Sequence, residues 1–339
     1  MSFARCIDTA IIIPARDEAA RIAHCLAALA PQCSERVQII LVVNNTSDAT
    51  AQIAQRAATS LNIDLQVLEV TYAPQLGVGE ARRRGAEQAL QSLPHLRHLL
   101  TTDADCRVAP DWVACNLRHL QTVDAVCGKV DLHPGEIAWL AGLDRGFQDQ
   151  ENRYRKLVQR VFARHAPNCA DLDGSHGQAP GASLGFTRDA YARAGGFEPI
   201  PCGEDRAIIR CMREIGLQVR HASELRVAAS CRLTGRAVGG MSDTLRLRLS
   251  GQDYFADDCL PRAGDLIRQA QSGALGVWPP KVAPGDCIPM RALSEHRAKL
   301  QNFLAKPLPA PAALPPQSPL QLPAHSGQQR IYAAPTTKG

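Results

Sequence analysis

Apolar and polar positions alternate between two rhythms over the first hundred residues. Residues 9–13 are a short β-branched run, the pattern of a buried parallel strand, and Pro14 is placed to end it. Ile22, Leu26 and Leu29 then recur at spacings of four and three, one face of a helix that Asp17 is placed to cap. Residues 37–43 are apolar apart from Gln38, followed by the turn-forming Asn44, Asn45, Thr46 and Ser47, with Ser47 or Asp48 available to cap a second helix. Residues 65–70 give a third strand, 79–90 a helix rich in Ala, Arg and Glu, and 96–102 a fourth strand. Strands alternating with helices predict an α/β fold, a Rossmann-like, mostly parallel sheet flanked by helices. In such sheets ligands bind beyond the carboxyl ends of the strands. The polar groups gather there: residues 14–18 after the first strand, Asn44 and Asn45 after the second, and Asp103-Ala104-Asp105 after the fourth.

Composition narrows the class. The chain has 339 residues, of which 45% are hydrophobic, enough for about two domains or one large unit with additions. Its 38 Lys and Arg against 33 Asp and Glu are interspersed, so no nucleic-acid partner is expected. Residues 305–339 hold 8 of the 23 prolines and no acidic residue, the composition of a disordered tail. The 12 cysteines include no C-x-x-C pair, and residues 1–10 lack the form of a secretory leader. Reduced cysteines in a cytoplasmic protein are expected, and no apolar run is long enough to span a bilayer.

Two acidic motifs are candidates for chemistry. Asp103 and Asp105 are two apart at the end of an extended segment, so they project to one side and can hold Mg²⁺ or Mn²⁺ against phosphate oxygens. The alternative is a turn whose aspartates only cap the next segment. Gly203-Glu204-Asp205 opens a helix over 205–215 with an apolar stripe of Ile208, Ile209, Met212 and Ile215. Its carboxylates either complement the helix dipole or serve as a general base.

The ordered run I-I-P-A-R-D-E (12–18), V-V-N-N-T-S-D-A-T (42–50), G-V-G-E-A-R (77–82), T-D-A-D (102–105), P-G-A-S-L-G-F-T-R (180–188), A-G-G-F (194–197) and G-E-D (203–205) resembles the family 2 glycosyltransferases of the GT-A fold. The resemblance covers about residues 7–240, leaving 241–304 as a helical extension and 305–339 as the tail. It implies a metal-assisted, inverting transfer of a sugar from a nucleoside-diphosphate sugar to an acceptor hydroxyl. By the same resemblance, Pro14, Ala15, Glu18, Asn44 and Asn45 contact the nucleoside, and Arg82 lies near the nucleotide. Asp103 and Asp105 bind the metal, with Ala104 between them. Gly181, Ala182 and Ser183 border donor sugar and acceptor, and Asp205, beside Glu204, deprotonates the acceptor. Arg232 and Arg236, after the last strand of that region, are placed either to add phosphate contacts or to lie as solvated surface arginines.

Two departures stand out. The family commonly has an aspartate pair where this chain has Asn44-Asn45, which leaves the nucleobase open. It also often carries a metal-site histidine where Ser230-Cys231 stand, with His221 too early in the segment to replace it.

Competing readings are weaker. A nucleotidyltransferase needs a basic, Gly-rich loop after the first strand. A dehydrogenase needs G-x-G-x-x-G, but Arg82 takes the third glycine's place. Gly181-Ala182-Ser183-Leu184-Gly185 matches the hydrolase G-x-S-x-G, but a Gly-, Ser- and Pro-containing loop precedes it instead of a strand. A non-catalytic sugar-nucleotide-binding protein remains an alternative. The acceptor, whether small molecule, glycan or lipid-linked, is not fixed by the sequence. Tyr154, Arg155 and Lys156, on a charged helix over 144–164, are placed either to approach it or to lie on a solvated face. Residues 241–304 are expected either to cover the catalytic domain or to pair two copies as a homodimer.

Overall fold

The computed structural model describes residues 6–140, 145–235, 240–250 and 254–306. The expected tail lies, from residue 307 onward, outside the described residues, as do Asp144 and Arg236. By its backbone contacts the chain divides into a compact unit, Met1–Ala305, and a second unit, Lys306–Gly339.

The apolar runs become the parallel half of a sheet. Strands β1 (Thr9–Ala15), β2 (Val37–Asn44), β3 (Leu65–Val70) and β4 (His98–Thr101) pair in parallel in the order β3-β2-β1-β4. Four further strands, β5 (Cys106–Val108), β6 (Ala125–Leu132), β7 (Leu184–Thr187) and β8 (Val219–Ala229), continue the order as β7-β6-β8-β5. Here β7 is antiparallel to both β4 and β6, β5 is antiparallel to β8, and β6 and β8 are parallel. The expected α/β architecture, a mostly parallel sheet flanked by helices, is what the chain forms.

Pro14 does not end β1, which runs on to Ala15. The Ile12 carbonyl accepts from Thr102 N on the β4 side. Pro14, two residues on, turns its nitrogen the same way, past the last pairing with β4, so its missing N–H removes no ladder bond.

Alternation along β1 and β2 feeds two cores. Ile11, Ile13, Ile39 and Leu41 pack on one face with α1 (Ile22–Leu29), α2 (Thr50–Leu61) and α4 (Trp112–His119). Ala10, Ile12, Ile40 and Val42 pack on the other with α3 (Gly77–Ser92), α6 (Arg188–Arg193) and α7 (Glu204–Glu214). Helix α1 begins at Ile22, later than Asp17 was expected to cap it, because Asp17 is used elsewhere: at φ 51° its carboxylate accepts from Ser47 N at 2.8 Å. Helix α2 likewise has no side-chain cap at its N-cap residue, Ala49; Asp48 instead accepts from Thr50 N at 3.0 Å.

A third core joins the long helix α5 (Arg145–His165) to residues 254–304, including α9 (Ala263–Ser272) and α10 (Leu293–Leu304). Tyr154 is fully buried in it and donates its hydroxyl to Pro261 O at 2.6 Å. Arg155 pairs with Glu151 at 3.1 Å and Asp257 at 3.2 Å. Tyr154 is turned into this core and Arg155, 19% exposed, is held by the two carboxylates, whereas Lys156 is exposed. Helix α8 (Met241–Leu249) touches down through Leu245, which packs with Cys231 and Leu140. No described helix is long and apolar enough to cross a membrane. Cys25, Cys106, Cys115, Cys127, Cys169, Cys231 and Cys259 are buried free thiols.

Candidate active site

Three strand-end loops are tied to one another before any acidic motif is considered. Asp17 N donates to Thr46 Oγ1 at 3.2 Å, Glu18 N to Thr50 Oγ1 at 2.8 Å and Ala19 N to Asp48 Oδ2 at 3.0 Å. The polar residues after β2 therefore hold the loop after β1 in place. Asn45, at φ 47°, donates Nδ2 to Tyr72 O at 2.7 Å and so fixes the loop after β3. A carboxylate has no hydrogen to give that carbonyl, which is a structural reason for an amide here. Asn44, Pro14 and Ala15 are buried at the strand ends.

Arg82, buried in α3, joins the two acidic motifs. Its guanidinium pairs with Glu204, and with Asp103 at 2.5 Å. Burial alone would oppose its charge, but Asp103, Glu204 and Asp205 outweigh burial and raise its pKa. Burial in turn lifts Glu204 above the usual carboxylate range, with Asp205 adding to the effect and Arg82 opposing it. Gly181 lies flat on this guanidinium, since a Cβ there would sit 2.4 Å from Arg82 Cζ. Its carbonyl accepts from Thr101 Oγ1 at 2.6 Å and its N–H donates to Asp205 Oδ2 at 2.8 Å. The second Asp205 oxygen accepts from Arg206 N at 2.7 Å, so the carboxylate is oriented through both oxygens.

Arg232, in the segment after β8, joins the other side. It is bidentate on buried Glu18, with one bond of 2.8 Å, and reaches Asp105 at 3.1 Å. Burial pushes the Asp105 carboxyl up to about 6, against Arg232, with Asp103 and Glu18 adding to the rise. Asp103, Asp105 and Cys106 each offer an atom within 4.8 Å of the others. Burial raises the Cys106 thiol far above its ordinary range, and a soft sulfur is in any case a poor donor for Mg²⁺ or Mn²⁺ beside two carboxylates. Two carboxylates, one of them desolvated and hard to ionise alone, suit a hard divalent cation completed by phosphate oxygens.

The fold thus brings together Glu18, Arg82, Asp103, Asp105, Gly181, Glu204, Asp205 and Arg232. It turns other sequence candidates away. Ala104 and Ala182 sit in the core beside β1. Ser183 is fully buried and its hydroxyl accepts from Trp112 Nε1 at 2.9 Å, so it offers neither nucleophile nor sugar contact. Glu204 is occupied by Arg82, leaving Asp205 as the half-exposed carboxylate of the pair.

Sequence reasoning missed the cleft of about 230 Å³ beside Asp105, lined also by Arg21, His24, His133 and Glu136. Glu136 accepts from Ser230 Oγ at 2.7 Å and Cys231 N at 2.8 Å, which fixes the segment carrying Arg232. No spacing signal connects residues 95 positions apart, so only the fold reveals this link. His221 pairs with Asp171 at 2.7 Å.

A family model described as glycosyl transferase family 2 matches residues 10–171, the segment that carries the first four motifs. No curated protein matches the chain. Among solved structures, S. aureus TarS 1-349 in complex with UDP-GlcNAc is 13% identical with a TM-score of 0.49, over 87% of this chain and 72% of that one. A second structure of TarS 1-349 is covered over 60% of its length. The mannosyltransferase PcManGT from Pyrobaculum calidifontis, in complex with GDP-Man and Mn²⁺, is 18% identical with a TM-score of 0.49, over 88% and 74%. Glucosyl-3-phosphoglycerate synthase from Mycobacterium tuberculosis, with Mg²⁺ and UDP, is 18% identical with a TM-score of 0.45, over 74% and 84%.

Proposed function

We propose that this chain, whose residues 10–171 match the glycosyl transferase family 2 model, is an enzyme of that family and moves a sugar from a nucleoside-diphosphate sugar to an acceptor hydroxyl with inversion. The observation that carries the reading is Arg82, which binds Asp103 of one acidic motif and Glu204 of the other and so sets Asp205 across the same site.

Transfer from an anomeric carbon builds negative charge on the departing diphosphate and positive charge on the sugar. Asp103 and Asp105 are the residues to hold Mg²⁺ or Mn²⁺, which when bound supplies Lewis-acid stabilisation of that diphosphate. Arg232 presents a planar fork next to the same carboxylates, and a diphosphate oxygen taking the place of Glu18 would replace one charge-assisted bond there by another. Asp205 acts as the general base towards the acceptor hydroxyl, its oxygens aimed by Gly181 N and Arg206 N. Attack from the side opposite the leaving group in one step inverts the anomeric centre. Glu204 has a positioning role, holding Arg82 and through it Asp103.

The test is a screen of the purified protein against UDP-, GDP- and TDP-sugars with Mn²⁺, reading donor binding by thermal stabilisation and release of nucleoside diphosphate. Metal-dependent stabilisation by at least one donor is expected. No stabilisation by any of them would sink the reading.

A further inference from the structure

We propose that the cleft between α7 and the C-terminal third of the chain holds an anionic group of the acceptor, a phosphate or a carboxylate, on Arg210 and Lys281. Naming the ligand as the acceptor rests on the glycosyl-transfer reading; the anion site itself does not.

The cleft is about 490 Å³, within the range of small-molecule sites. One wall is a single face of α7, Gly203, Arg206, Ala207 and Arg210, at spacings of three, one and three. The opposite wall comes from α8 and from residues 254–258 and 280–281. Gly203, the N-cap of α7, and Arg206 flank Asp205 in sequence, so the helical wall of the cleft begins in the turn that carries the proposed base.

Its charges are unevenly matched. Arg206 is already held by Asp257 at 2.7 Å and by Asp258. Arg210 donates Nε to Pro279 O at 2.9 Å, and its other guanidinium N–H groups meet no acceptor among the described residues. Lys281 is exposed and likewise has no ion-pair partner among the described residues. Glu198 lies exposed in the lining and is paired with neither. Burial, with Arg206 adding to it, lowers the Arg210 pKa, and Glu214, Asp258 and Glu198 offset only part of the fall. An anion bridging Arg210 and Lys281 would supply the missing charge. Leu247, 43% exposed, and Phe255, 60% exposed, add apolar surface in the same cleft, so an acceptor with an apolar part beside its anionic group fits best.

The experiment measures binding of inorganic phosphate, phenyl phosphate and benzoate to the full chain by calorimetry. Phenyl phosphate should bind more tightly than inorganic phosphate, and its comparison with benzoate separates a phosphate from a carboxylate acceptor. Lys281→Gln, at an exposed site, and Arg210→Gln should each weaken the preferred anion by about tenfold, one charge-assisted hydrogen bond, while donor binding stays unchanged. Arg210→Lys should recover part of the loss. Anion affinity unchanged in both glutamine variants, or no anion binding to the unmodified chain, overturns the proposal. Arg210-dependent anion binding in a protein that binds no sugar nucleotide would keep the site and sink the glycosyl-transfer reading instead.

Discussion

Arg82 and Glu204 form an ion pair whose side chains are only 4% and 2% exposed, across 122 positions of sequence. A buried pair of this kind is not a large net source of stability, but removing one partner leaves the other charged in a dry place. Arg82→Met should therefore destabilise the fold by roughly 3–5 kcal/mol, read by urea unfolding. Arg82→Met and Glu204→Gln together should cost less than the sum of the two single changes, because the double variant strands no charge in the dry place; Asp103, which also loses Arg82, is 34% exposed. Additive costs would show that the pair is not coupled.

Gly181 supplies a second handle on the same arginine. A methyl group there would sit 2.4 Å from Arg82 Cζ, and the guanidinium cannot yield without leaving Asp103 or Glu204. Gly181→Ala should cost about 1–3 kcal/mol by overpacking and weaken metal-dependent donor binding as Asp103 loses its partner. Unchanged binding and stability would show that Arg82 has room to move.

The Asp105 carboxyl gives a pH dependence of definite sign. Its pKa rises on folding from 3.8 to about 6, chiefly by burial. The stability this group contributes is present below the unfolded value and is lost as pH rises through about 6. A divalent cation binds the ionised form, so stabilisation by Mn²⁺ should be small near pH 5 and grow towards about pH 7. Melting curves with and without millimolar Mn²⁺ check this, and Asp105→Asn should abolish the trend. A cation effect that is equal at both pH values would contradict the assignment.

Tyr154 tests the corrected view of α5. Its hydroxyl is bonded to Pro261 O inside the third core, so Tyr154→Phe should lower stability by about 0.5–1.5 kcal/mol. Sugar transfer should be unaffected. A changed acceptor preference with unchanged stability would return Tyr154 to the acceptor side.

The parallel half of the sheet was legible because doubly covered strands read as continuous apolar runs, as 37–43 does. The other half was not. Strand β5 has three residues, β7 is Leu-Gly-Phe-Thr, and β6 shifts register between Gly128 and Lys129. Strand β8 interleaves His221, Glu224 and Arg226 with its apolar positions. The acidic motifs and the arginines Arg82 and Arg232 were visible as candidates, whereas their pairing was not, since Arg82 and Glu204 are 122 positions apart and Glu18 and Arg232 are 214. Ser183 was expected to border donor sugar and acceptor, yet its full burial and the hydrogen bond from Trp112 make it part of the core.

The central claim is that Asp205 removes the acceptor proton while Asp103 and Asp105 serve the donor. Asp205→Asn, assayed for donor affinity with Mn²⁺ and for turnover of the bound donor, tests it most directly. Donor affinity should stay within a few-fold of the unmodified protein, while turnover falls by at least about a hundredfold, the lower end of a general base's contribution. Unchanged turnover per bound donor would contradict the claim.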